Sequence, residues 1–337
     1  MAANTNTEIR IIMMTLPSFS FDYQAALQDA VFTILPDAGY LSFSGADRVD
    51  FFNRQTTNDV RLLRPERSVI TVLTTATARM LDVLTLVDLG DAFGAITLAG
   101  HAPATAKHFQ SKIFFMDKVT VEDASATVVQ IDVDGPKAGA LLRNLGVEAT
   151  SHQDAVTTTD FAGSELRVIA RKGLAGPGFR LLAPISVVET LQQALAAAGF
   201  GQLTPETYDI LRIEAGLPAA NSELSEDYNP LEAGLTAAIS ESKGCYTGQE
   251  IIARQRTYDK VTKQLVGLRL DAMVEPGSLV EIEGKKVGTV TSVADSPRFG
   301  PIALAYLKRP NHLPGTQVLI QSPTSVSATA VALPFIF

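Results

Sequence analysis

Sulfur, tryptophan and basic charge are all scarce in this chain. Its 337 residues include one cysteine, no tryptophan and four histidines. A single cysteine excludes an internal disulfide and suits a reducing compartment such as the cytoplasm. It also excludes an iron–sulfur cluster held by the chain's own thiolates, which usually number about four. His101, His108, His152 and His312 are scattered without zinc-site spacing. His101 and His108 would share a face of one helix, but Pro103 weakens that geometry and solvated histidines are expected. No metal site is therefore predicted. No apolar run approaches the roughly 18 to 20 residues that span a bilayer, so no membrane segment is expected. The run Ile11-Ile12-Met13-Met14 is short, ends at Pro17 and lacks a small-residue cleavage site. It reads as neither signal nor transit peptide. The formal net charge of −8 argues against a general nucleic-acid binder, which needs a basic face.

What is present describes a soluble globular protein, with 46% hydrophobic and 19% charged residues. The length exceeds what one core serves, so two or three domains are expected, in a monomer. Apolar residues at helical spacing over 49–54 follow Ser44-Gly45-Ala46-Asp47 and predict a helix. Residues 69–73, 81–89 and 95–99 read as strands, the first two joined by a polar hairpin link over 74–79. Helices are predicted over 102–112, 135–145, 187–198 and 205–215, each of the last three closed by a glycine (Gly146, Gly199, Gly216). Segments 119–121, 126–133, 166–170 and 179–182 return to strand character. Between the last two lies Gly173-Leu174-Ala175-Gly176-Pro177-Gly178. With a proline inside and no helix after it, that turn fails the dinucleotide fingerprint. The first two hundred residues are thus α+β. From 261 onward six short strands (264–270, 279–282, 286–293, 302–307, 317–320, 327–333) are punctuated by Gly, Pro and Asp, which predicts a small β-barrel. The expected division is 1–258, an α+β region of two interleaved subdomains, and 259–337, the barrel.

The single cysteine lies in Lys243-Gly244-Cys245-Tyr246-Thr247-Gly248-Gln249-Glu250. Thr247 to Glu250 reads as a capping box opening a helix through Ile251 and Ile252. Cys245 is then expected just upstream of a helix N-terminus, and in an extended approach Lys243 shares its face. Both effects favour the thiolate, which makes Cys245 a candidate functional residue and Lys243 its assistant. The alternative is an ordinary buried cysteine.

Four segments together carry a resemblance: 51–60 (Phe-Phe-Asn-Arg-Gln-Thr-Thr-Asn-Asp-Val), 211–218 (Leu-Arg-Ile-Glu-Ala-Gly-Leu-Pro), 230–235 (Pro-Leu-Glu-Ala-Gly-Leu) and the Cys245 octapeptide. The chain resembles the YgfZ family of folate-binding proteins that assist iron–sulfur cluster assembly or repair. That family is related to the aminomethyltransferase, or T-protein, of the glycine cleavage system. The octapeptide separates the two, whereas the other segments are shared. The resemblance implies a T-protein-like multi-domain ring around a folate site, with the barrel as its last member. The implied cofactor is tetrahydrofolate or a one-carbon derivative; the implied partners are iron–sulfur assembly factors or client enzymes.

Asp82 matches a T-protein aspartate that contacts folate and assists aminomethyl transfer; otherwise it is a strand-edge aspartate facing water. Arg180 stands where the T-protein pattern has a pterin-recognising glutamate. A cation cannot accept hydrogen bonds from an amino-pyrimidine edge, so Arg180 is expected to pair with a carboxylate of ligand or protein. Arg212 and Glu214 either shape the folate site or form an internal ion pair. Arg254 and Arg256 hold the glutamyl tail or are solvated helix charges. Asn58 binds ligand or, with Asp59, caps and turns the chain. Tyr246 stacks on a flat ligand or packs. The resulting expectation is a folate-binding accessory protein for iron–sulfur enzymes. An aminomethyltransferase and a non-catalytic folate-binding scaffold are the alternatives.

Overall fold

The strand-like alternation closes into three sheets. The computed structural model describes residues 21–35, 37–321 and 324–335, and the 1–20 stretch with its apolar run lies outside them. Helix α1 (Phe21–Gln28) leads into β1 (Val31–Ile34). Then come β2 (Tyr40–Ser44), α2 (Arg48–Gln55), β3 (Val69–Thr74), β4 (Met80–Asp88), β5 (Ala92–Ile96), α3 (Ala102–Gln110) and β6 (Thr120–Asp123). These strands form a sheet of order β3-β4-β5-β2-β6, antiparallel throughout. Its core explains the helical periodicity of 49–54: Phe52 of α2 enters an aromatic cluster around Phe43. The Phe43 ring centroid lies 4.8, 5.1 and 5.0 Å from those of Phe52, Phe93 and Phe109. Edge-on and stacked contacts of this kind add to plain area burial.

The chain continues through β7 (Val128–Asp134), α4 (Ala138–Asn144), β8 (Val156–Phe161), β9 (Ser164–Lys172), β10 (Pro177–Pro184), α5 (Val188–Ala197) and β11 (Gly201–Gln202). With β1 these make a second sheet of order β11-β1-β7-β10-β9-β8. Because β1 precedes the first sheet in sequence but belongs to the second, the two units interleave. One face of the second sheet is apolar. Phe32, Ile131, Val133, Phe179 and Leu181 pack there against Leu142 of α4 and Leu191 and Leu195 of α5. Strand alternation sends the intervening residues the other way. Register sets Thr33, Asp132 and Arg180 side by side on that opposite, polar face.

Helix α6 (Pro205–Glu214) starts at Thr204, whose hydroxyl accepts from the Thr207 amide at 3.2 Å. An irregular stretch leads to α7 (Gln249–Thr257). The barrel follows: β12 (Lys263–Leu270), β13 (Leu279–Ile282), β14 (Lys285–Ser296), β15 (Gly300–Lys308), β16 (Gln317–Ile320) and β17 (Val326–Val331). The β12–β17 pairing closes it around Leu268, Val280, Val290, Ala305 and Ile320. The expected α+β architecture with a C-terminal barrel is therefore found.

Buried charge fastens the barrel to the rest. Glu214 accepts from Tyr23 of α1 at 2.6 Å and from Ser296 of β14 at 2.5 Å, and it pairs with Arg298. Arg212 donates to Ser292 of β14 at 3.0 Å, and Ser292 in turn donates to buried Glu223 at 2.7 Å. At the end of α6, Gly216 has φ +64°, and a Cβ there would come within 2.8 Å of the Leu333 side chain. Only glycine meets both conditions without strain. Among the described residues no helix is long and apolar enough to cross a membrane.

Candidate ligand-binding site

The polar face of the second sheet lines a recess. It looks onto a cavity of about 790 Å³ bounded by β1, β7 and β10, the 97–99 loop of the first unit, α6 and the 217–220 segment. The 95–99 strand expected from sequence stops at Ile96, and Thr97, Leu98 and Ala99 line the cavity as a loop. A second cavity of about 280 Å³ shares Arg180, Tyr208, Leu217 and Pro218 with the first. A third, of about 430 Å³, shares Leu35, Ala38 and Gln130, but no cationic or aromatic side chain lines it. The 790 Å³ cavity is the candidate site because it joins a flat apolar wall to a few oriented polar groups.

One of those polar groups, Arg180, belongs to a charge cluster on β7, β9 and β10. Arg180 donates through Nε and Nη2 to the two oxygens of Asp132, at 2.7 and 2.9 Å. Arg171 reaches Asp132 at 3.0 Å and Asp134 at 2.6 Å. Burial alone would push the Asp132 carboxyl up, but the guanidiniums of Arg171 and Arg180 override it and hold the group below the usual carboxylate range. At Asp134 burial wins over Arg171, with the Asp132 charge adding to it, and the carboxyl is raised. The expectation that Arg180 pairs with a carboxylate is met by the protein's own Asp132. Nearby, Gln130 donates its amide to the Gly39 carbonyl at 3.0 Å. That contact fixes which end is nitrogen, and Gln130 Oε1 and Thr33 Oγ1 have no hydrogen-bond partner among the described residues.

Asp82 lies behind the cavity wall. Alternation along β4 turns it inward with Met80 and Leu84, and it is fully buried rather than a water-facing edge residue. Its carboxylate accepts from Thr105 Oγ1 at 2.6 Å, Leu98 N at 2.9 Å and Val83 N at 2.8 Å. Burial nevertheless raises its pKa to about 6, those hydrogen bonds opposing. The residue touching the cavity is Leu98, whose amide Asp82 holds.

Around Cys245 the local design departs from the capping-box reading. Helix α7 begins after Gly248, which has φ 84°, and no side chain caps it. A Cβ on Gly248 would sit 2.7 Å from the Thr75 carbonyl and 2.9 Å from Thr74 Oγ1, so the loop lies tight against the β3–β4 hairpin. Thr74 Oγ1 also donates to the Thr247 carbonyl at 2.7 Å. With Gly248 left-handed and packed this closely, the helix cannot start one residue earlier, and Glu250 pairs instead with Arg254. Lys243 turns inward as well. Its amine donates to the carbonyls of Thr56 and Asn58, both at 2.6 Å, and burial lowers its pKa to about 8. Cys245 itself is exposed, which rejects the buried-cysteine alternative.

The remaining predicted residues separate by location. Arg180 and Arg212 line the 790 Å³ cavity. Glu214 serves the barrel junction instead. Asn58 bridges the Ile70 and Ala237 carbonyls, and Asp59 caps the next turn through Arg61 N. Tyr246 is packed with Ala78, Ile239 and Ile252. Arg254 and Arg256 pair with Glu250 and Glu241, and neither lines the cavity. The structure adds Tyr208, Asp132, Gln130 and Thr33. The polar positions of Gln130-Ile131-Asp132-Val133-Asp134, two apart on a strand, are the signal that would have found two of them.

Two family models match the chain: the GCVT N-terminal domain over residues 30–243, and the glycine cleavage T-protein C-terminal barrel domain over 263–336. A chloroplastic putative transferase of Arabidopsis thaliana is 32% identical over 302 residues, covering 87% of this chain and 69% of that protein. An aminomethyltransferase of Saccharopolyspora erythraea is 29% identical over 320 residues, covering 89% and 85%. Among solved structures, the glycine cleavage system aminomethyltransferase T of Bartonella henselae superposes with a TM-score of 0.83 at 22% identity, covering 94% of this chain and 88% of that one. From its first sheet to its barrel, this chain belongs to the glycine cleavage T-protein family.

Proposed function

We propose that the protein binds a reduced folate in the 790 Å³ cavity and acts on the one-carbon unit such a folate carries, in the manner of an aminomethyltransferase. The observation that carries this reading is the cavity itself, set where two sheets and α6 converge in a T-protein-family chain. Its volume lies within the roughly 300–1,000 Å³ of small-molecule sites. The residues present fit the group. Leu98, Leu203 and Leu217 offer apolar contact, Tyr208 a flat ring for stacking, and Arg180 hydrogen-bond donors. When bound, a reduced folate supplies a nucleophilic ring amine that takes up the one-carbon unit. Asp82 acts as a positioning residue, holding the Leu98 amide in the wall.

A second reading is favoured by one specific observation. Cys245 is exposed on a loop clamped by Thr74 and Lys243, and no residue of that loop lines the cavity. A thiol so placed is open to a macromolecular partner and lies apart from the cavity. On this reading the protein is of YgfZ type, a folate-binding accessory factor for iron–sulfur enzymes, and a single unpaired cysteine suits a reducing compartment such as the cytoplasm.

Three measurements test these readings together. Calorimetry with tetrahydrofolate and its polyglutamates should show binding, and none up to millimolar concentration would sink both readings. A reconstituted assay should show aminomethyl transfer to tetrahydrofolate. Its absence, together with lost iron–sulfur enzyme activity in cells lacking the protein, selects the second reading. Binding with neither effect leaves a folate-binding scaffold.

A further inference from the structure

The side-on contact with Asp132 uses one side of the Arg180 guanidinium, through Nε and Nη2. Arginine carries five N–H donors in a rigid fork, so donors remain. Among the described residues no atom accepts from Nη1, and the side chain keeps 23% of its surface exposed while lining both the 790 and the 280 Å³ cavities. Tyr208 lines the same two cavities, and its hydroxyl has no partner among the described residues. Asp132, by contrast, is fully buried and is also engaged by Arg171. The pair therefore shows the cavity an N–H edge fixed in direction by the carboxylate behind it.

Such an edge discriminates by simple chemistry. A ring carbonyl oxygen accepts from it. An amino group in the same place sets donor against donor and leaves both desolvated and unpaired. We infer that the cavity takes a flat heterocycle with its carbonyl-bearing edge toward Arg180, which makes Arg180 the residue that selects 4-oxo over 4-amino pteridines. Tyr208 supports the same edge with its hydroxyl. The inference rests on the folate reading and adds the ring's orientation and the group that is recognised.

The test is a competition between two ligands on the full chain. Wild type is titrated calorimetrically with tetrahydrofolate and with its 4-amino-4-deoxy analogue, and the titrations are repeated on Arg180→Met and on Arg180→Met/Asp132→Asn. Wild type should prefer the 4-oxo ligand by at least about tenfold. The variants should bring the ratio to within about twofold, mainly by weakening the 4-oxo ligand. The double variant leaves no carboxylate at 132 without its arginine, and the wild-type comparison needs no variant at all. Equal wild-type affinities, or a ratio unchanged in a folded variant, overturn the inference and leave the folate reading standing. Failure of wild type to bind either ligand overturns both.

Discussion

Arg180 and Lys243 are each a cation set in a glycine-containing motif, and the fold uses them in opposite ways. Arg180 gives two of its donors to Asp132 and keeps an edge on the cavity. Lys243 is almost wholly buried, and two bonds of 2.6 Å fasten its amine to backbone carbonyls. One cation is oriented by a carboxylate and remains available to a ligand. The other is an internal strut, and burial makes its charge less favourable. Whether a motif cation acts on ligands thus depends on how many of its donors the fold consumes, and that is a tertiary property.

The largest effect should come from breaking the first arrangement. Arg180→Met leaves buried Asp132 with Arg171 alone, and losing one partner of a buried pair costs about 3 kcal/mol or more. Adding Asp132→Asn removes the uncompensated charge and should recover most of that loss in urea unfolding. If the double variant is no more stable than the single one, the cost lies in packing and not in the pair.

Asp82 sharpens the comparison because its charge is engaged but its ligand contact is indirect. Its pKa is raised from 3.8 to about 6, foremost by burial. The folded state therefore binds a proton more tightly than the unfolded chain. That contribution to stability is whole below pH 3.8 and is lost as pH rises through about 6. Asp82→Asn can keep Oδ1 on the Leu98 and Val83 amides and donate to Thr105. It should flatten the loss between about pH 4 and 6, on the order of 2–3 kcal/mol. Parallel stability–pH curves for wild type and variant would show that Asp82 titrates normally.

Breaking the second arrangement should cost less. Lys243→Met strands the Thr56 and Asn58 carbonyls, a loss of about 2 kcal/mol by chemical denaturation. It should also speed alkylation of Cys245, because the loop loses an anchor. Folate affinity should hold, since Lys243 lines no part of the cavity.

Period and punctuation made much of the fold readable. The barrel strands, the 74–79 hairpin and α5 and α6 lie within a few residues of where apolar spacing and glycines placed them. The short β1 and β11 were not legible, because their pairing joins residues far apart in sequence. At the site, an exposed Cys245 and a carboxylate-paired Arg180 were legible from residue chemistry. The inward turn of Lys243 was not, since it depends on carbonyls contributed from 56 and 58. Nor was the start of α7, where a left-handed Gly248 against the β3–β4 hairpin overrides a capping-box pattern.

That override yields the smallest predicted effects, and they carry the most about function. Thr247 caps nothing with its side chain, and its contribution to the clamp is a backbone carbonyl that accepts from Thr74. Thr247→Ala should therefore change stability by less than about 0.5 kcal/mol, whereas loss of a true cap would cost about 0.5–2. Thr74→Val, which deletes the donor, should cost more, on the order of 1 kcal/mol. Cys245→Ala removes one exposed sulfur and should be nearly silent in both unfolding and folate titration. Its value lies in that silence. A variant that folds and binds folate like wild type but fails to support iron–sulfur enzymes in cells isolates the thiol as the working group of the accessory reading. If the same variant supports those enzymes fully, Cys245 is a surface residue. Aminomethyl transfer at the cavity is then the reading that remains.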